Sequence, residues 1–182
     1  MVCAVFVGFD LDRCIEATGV LFSETETQIM SRMRLLKLLY LANRKSLQET
    51  GDPIVDDDVF AMKNGPVLSQ TYDIIKGCAE EKTLTAWRKH FKVVDGVQVQ
   101  MVSTPGTDNL SDYDTRTLIE TAHQYRDTDD EDLSELTHTF AEYRRHWNGS
   151  QSGERIPEDD LLKALDYQPN QIQMLLEEAK IY

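Results

Sequence analysis

The chain has 182 residues, 32 of them Asp or Glu and 19 Lys or Arg, for a formal charge of −13. That balance argues against a nucleic-acid binder built on clustered cations and against a protein docked on an anionic membrane. With 41% apolar residues and no apolar run near the ~20 residues of a membrane span, it reads as one cytoplasmic, protein-binding domain over 1–182.

Residues 1–9 (MVCAVFVGF) are apolar but short, carry no basic residue and run into Asp10 and Asp12. They read as an apolar N-terminal extension, an edge strand or a staple onto the first helix, and not as a signal peptide. Cys3, Cys14 and Cys78 are odd in number and lack CxxC spacing, which predicts three structural thiols in a reducing compartment. The charge is uneven. Residues 1–91 hold 11 basic and 13 acidic residues, whereas 92–182 hold 8 and 19, so the acidic surface belongs to the second half.

Asp10–Phe22 is the first helix, with Leu11, Cys14, Ile15 and Leu21 at helical spacing and Asp10 as its cap. Ser23–Gln28 is a polar connection. Ser31 then opens the strongest helix, Met33–Gln48, whose leucines face nearly all round and predict a central position. Gly51 stops it and Pro53 prevents resumption. Val59–Met62 reads as a strand closed by a turn at Lys63–Pro66, with Pro66 at the first position of a helix Val67–Lys76. Trp87–Asp95 and Val97–Ser103 form a hairpin on Asp95-Gly96. Ser111 with Asp114 opens a helix to about Arg126, and Asp129–Asp132 open a short one through Leu136. Asp160–Leu165 and Asn170–Ile181 complete the set. The expected fold is therefore α+β, mainly helical, with about seven helices and a small antiparallel sheet joining Val59–Met62 to the hairpin.

No motif for chemistry emerges. Phosphate loops are missing, and Gly149–Gly153 has Gln151 where a nucleophile elbow needs Ser. Asp56–Asp58 lacks the spacing of a calcium loop. His90, His123, His138 and His146 show no metal-ligand pairing. The expectation is no enzyme, no catalytic residue, no cofactor and no metal.

One set of segments is more specific. Arg34–Ala42 (RLLKLLYLA), Thr50–Ile54 (TGDPI), Ala61–Leu68 (AMKNGPVL) and Tyr72–Gly77 (YDIIKG) occur in this order. Together they resemble the Panacea domain, the SocA-like antitoxin family of toxin–antitoxin systems. The resemblance extends from about Phe9 to Tyr167, taking in Trp87, the Asp95-Gly96 hairpin, Leu110-Ser111 and Thr137-His138, and leaves residues 168–182 as a C-terminal helix outside it. Asn43 departs from the pattern, which carries an acidic residue there.

The resemblance implies an antitoxin of prophage or mobile-element type that binds and neutralises a protein toxin encoded nearby. It also implies an alternative, an adaptor that delivers the toxin to an ATP-dependent protease. A third reading is a DNA-binding autoregulator using Arg32, Arg34, Lys37, Arg44 and Lys45 on one helix, which the net charge opposes. A homodimer is compatible with all three. The expected partner surface is Lys37, Tyr40, Asn64, Gly65, Pro66, Val67 and Tyr72, because a rigid turn beside tyrosines loses little entropy on binding. Lys37 is expected to reach solvent or pair with an acid such as Asp73. The acidic half is expected to complement a basic toxin.

Overall fold

The computed structural model of the chain describes residues 8–150 and 152–178. The expected extension up to residue 7 with Cys3, the residue Gln151, and the expected end of the last helix at Ile181 lie outside the described residues.

The first helix, α1 (Leu11–Ser23), begins where Asp10 accepts the backbone N–H groups of Asp12 and Arg13 at 2.9 and 3.1 Å. A three-residue strand β1 (Ile29–Ser31) follows and leads directly into α2 (Arg32–Thr50). Ser31 caps α2 through the N–H of Arg34, and Gly51, at φ 85°, ends it. As its leucines predict, α2 is central. It packs on α1, on β1 and on four later elements, and Leu35, Leu38, Leu39 and Ala42 are buried.

The next segment corrects the sequence expectation. The strand β2 (Val59–Met62) lies where it was expected, but Gly65–Leu68 forms a second strand, β3, paired Met62 to Gly65 through Val59 to Leu68. The turn is only Lys63-Asn64, and the helix α3 starts at Ser69 and runs to Lys76. Pro66 is therefore not a helix-opening residue. It sits in an edge strand, where its missing N–H costs no ladder bond. The cap of α3 comes from a distance: the buried carboxylate of Asp57 accepts the N–H groups of Gln70 and Thr71 and the Thr71 hydroxyl, all within 2.9 Å.

Trp87, expected in a strand, lies in the helix α4 (Glu81–Arg88), with its ring 4.3 Å from that of Phe91. The hairpin of β4 (Phe91–Val94) and β5 (Gln98–Met101) is present, and its turn has Asp95 and Gly96 at φ 49° and 71°. The helix α5 (Asp112–Gln124) carries the Ser111–Asp114 capping box. It is followed by α6 (Asp130–His138), capped by Asp129, then by α7 (Ala141–His146), which was not expected. The strand β6 (Glu154–Ile156), α8 (Glu158–Ala164) and α9 (Pro169–Glu178) complete the described residues.

The fold is α+β and mainly helical, with nine helices among the described residues instead of about seven. The expected single sheet is two antiparallel three-stranded sheets, ordered β1-β5-β4 and β3-β2-β6. The short strands β1 and β6, three residues each, supply a third strand to each hairpin. Cys14 is buried, but Cys78 is exposed, so the structural-thiol expectation fails for Cys78. Among the described residues, no helix is long and apolar enough to cross a membrane.

Candidate functional site

Two buried ionisable side chains of α2, Lys37 and Tyr40, lie one helical turn apart and meet the rest of the molecule through different partners. The Tyr40 hydroxyl donates to Glu142 Oε1 at 2.7 Å, and Arg44 Nε, one turn further along α2, donates to the same oxygen at 2.7 Å. The Arg44 guanidinium lies 4.2 Å above the Phe140 ring. Burial, and next the charge of Glu142, push the Tyr40 phenol well above its usual range. Tyr40 is 1% exposed and Glu142 is 0% exposed. Tyr40 therefore belongs to the core and not to the surface that the sequence suggested.

Toward the N-terminal end lies Lys37, 1% exposed. It neither reaches solvent nor pairs with Asp73, as was expected. Its ammonium donates to the Pro66 carbonyl at 2.8 Å, and burial lowers its pKa to about 7. A proline carbonyl satisfies one of the three donors without neutralising the charge. His138 stands nearby, its ring stacked on Tyr143 at 4.7 Å, and its pKa is lowered by burial and then by the charge of Lys37.

Gly65 explains how these groups fit under the turn. Its φ is 97°, and a Cβ there would lie 2.3 Å from Thr137 Oγ1 and 2.8 Å from Lys37 Nζ. Only glycine gives both the backbone angle and the space. Three backbone carbonyls of the β2–β3 hairpin are then tied down from elements far away in sequence. Met62 O accepts from the Tyr143 hydroxyl at 3.0 Å, Asn64 O from the Ser134 hydroxyl at 2.9 Å, and Pro66 O from Lys37. The turn is held rigid while the Asn64 side chain remains exposed.

Above the turn opens a cleft of about 670 Å³ between α2, the hairpin, α3 and Val97 of the β4–β5 turn. Lys37, Asn64, Gly65, Val67 and Tyr72, five of the seven expected partner residues, line it. Pro66 lies behind it and contributes the carbonyl that holds Lys37. Tyr72 is half-buried, with the Lys76 ammonium 4.8 Å above its ring. Arg32, Lys63 and Lys76, which the sequence reading did not assign to this surface, also line it, together with Met33, Leu36 and Met62 and with Ser31 and Asp130 at its edge. Their convergence depends on the fold of β3 and carries no local signature.

The remaining cations of α2 are engaged within the molecule. Arg34 donates to the Thr128 carbonyl at 2.6 Å and to those of Tyr125 and Arg126, Arg44 pairs with Glu142, and Lys45 pairs with Glu120 at 2.6 Å. The helix thus offers no free basic face of the kind a DNA groove reader needs. No cluster of three or more His, Cys, Asp or Glu that could hold a metal occurs among the described residues.

No curated protein and no solved structure matches the chain. Residues 35–143, more than half of it, match the family model described as Antitoxin SocA-like, Panacea domain.

Proposed function

The chain belongs to the SocA-like, Panacea-domain antitoxin family, and from that premise we propose that it binds and neutralises a protein toxin encoded nearby, without catalysis. The cleft over the Lys63-Asn64 turn is the contact surface. The observation that carries this reading is the tying of the turn: three hairpin carbonyls are fixed by Tyr143, Ser134 and Lys37. A surface held in this way loses little entropy when a partner docks. Beside it, Tyr72 offers aromatic area with a polar tip, the composition favoured at binding hot spots.

The test is rescue from toxicity. The full chain and its Asn64→Ala and Tyr72→Ala variants are co-expressed with the product of the adjacent reading frame, and folding is checked by circular dichroism and thermal melting. Folded variants that no longer rescue support the cleft. Folded variants that rescue fully place the contact elsewhere, on the acidic second half. Toxin abundance followed in the same cells separates blocking, in which it stays constant, from delivery to a protease, in which it falls only where that protease is present.

A further inference from the structure

The net charge of −13 suggests a basic partner, but the cleft has the opposite sign. Among its lining residues are Arg32, Lys63 and Lys76, and none of the three is in an ion pair among the described residues. Acids are not scarce, since the chain has 32 of them against 19 cations. Elsewhere Arg13, Arg44, Lys45, Arg145 and Arg155 are paired with acids, while Lys82, Lys89 and Lys92 are in no ion pair among the described residues either, so what sets the cleft apart is that three unpaired cations converge there on one apolar floor. The acid at the cleft, Asp130, is already engaged by the Ser31 hydroxyl and by Arg34 at 3.6 Å. Lys76 is held over Tyr72, where its charge remains available at the cleft.

The floor between these cations is apolar, formed by Met33, Leu36 and Val67, with Val97, 58% exposed, at the lip. An inorganic anion would meet the cations and leave that floor wet. A basic segment would face like charges. An acidic segment carrying an apolar side chain satisfies both, with the side chain in a cleft whose volume falls in the range of about 300–1,000 Å³ usual for ligand sites.

We propose that the cleft receives an acidic segment of the toxin, with an apolar side chain on the Met33–Leu36–Val67 floor and carboxylates against Arg32, Lys63 and Lys76. This rests on the cleft being the toxin-binding surface. The acidic second half of the chain then acts on the approach of the toxin's basic regions, while the cleft selects the docking segment.

The test uses the full chain and the purified product of the adjacent reading frame in isothermal titration calorimetry at low and high salt. Lys63 and Lys76 are both exposed, so Lys63→Glu/Lys76→Glu and Lys63→Gln/Lys76→Gln are expected to fold. The Glu pair should weaken Kd about tenfold or more, with the Gln pair between it and wild type, and wild-type affinity should fall as salt is added. Unchanged affinity in the Glu pair overturns the acidic-segment proposal. If Tyr72→Ala then still loses binding, the cleft stands as the contact and only the charge assignment has failed. If Tyr72→Ala also binds normally, the cleft reading and the proposal fall together.

Discussion

Glu142 and Lys37 are both buried charged residues that meet α2, yet their surroundings differ. Glu142 receives two charge-relevant hydrogen bonds on one oxygen, from Tyr40 and Arg44, and its opposite charge is supplied at 2.7 Å. Lys37 has a carbonyl for a partner and no acid, and its pKa falls to about 7 in response. The first arrangement ties helices together: α2 carries Tyr40 and Arg44, and α7 carries Glu142. The second supports a turn beside an open cleft. A paired buried charge therefore marks structure here, and an unneutralised one supports the turn beside the surface we assign to the partner.

The largest effect that should follow from this contrast is on stability at Glu142. Glu142→Ala leaves the half-buried Arg44 and the buried Tyr40 hydroxyl without their acceptor, and should cost about 3–5 kcal/mol in urea denaturation. A cost below about 1 kcal/mol would remove the structural half of the comparison. Next comes Asn43, whose amide donates to Val55 O at 2.9 Å while its oxygen accepts from Val55 N at 2.8 Å. A carboxylate cannot donate, so Asn43→Asp should cost about 1–3 kcal/mol by the same measurement. This two-way bond gives a physical reason for an amide at the position where the family pattern has an acid.

Lys37 should behave differently, through pH. Its ammonium holds its proton up to about pH 7 in the native state and to about 10.5 when unfolded. Between those values the unfolded chain binds more protons, so this residue makes stability rise with pH, and below about 7 it contributes no slope. Lys37→Met removes that contribution but leaves Pro66 O unpaired. The wild type should thus gain on the variant as pH rises from about 7 toward 10, with flat behaviour below. Parallel stability curves would contradict the assignment of a buried, unneutralised lysine. The smallest stability effect should be at Lys63 and Lys76, whose replacement by Gln should stay within about 0.5 kcal/mol while toxin binding weakens.

Much of this was legible in the sequence, for reasons that can be named. The leucine pattern places α2 at the centre, Ser111 with Asp114 marks the start of α5, and Asp95-Gly96 marks a hairpin. Each signal is local. What the sequence hid is tertiary. Pro66 looks like a helix opener until β2 is seen to pair with residues 65–68. Tyr40 and Tyr72 are alike as letters, but one meets a carboxylate 102 positions away and the other meets Lys76 four residues along its own chain. Strands β1 and β6 are three residues long, too short for alternation to show. Of the expected partner residues, Lys37, Asn64, Gly65, Val67 and Tyr72 do meet at one cleft, because turn chemistry and a helix position could be read locally. The cations Arg32, Lys63 and Lys76 come from three separate elements and join them only in three dimensions.

The most direct test of the central claim is amide hydrogen exchange of the full chain with and without the product of the adjacent reading frame. The account predicts new protection over Met62–Lys76, covering the Lys63-Asn64 turn and α3, with little change in α7 around Glu142, which is already buried. Protection confined to the acidic segments Asp129–Glu135 and Glu158–Asp160, with Met62–Lys76 unchanged, would contradict it.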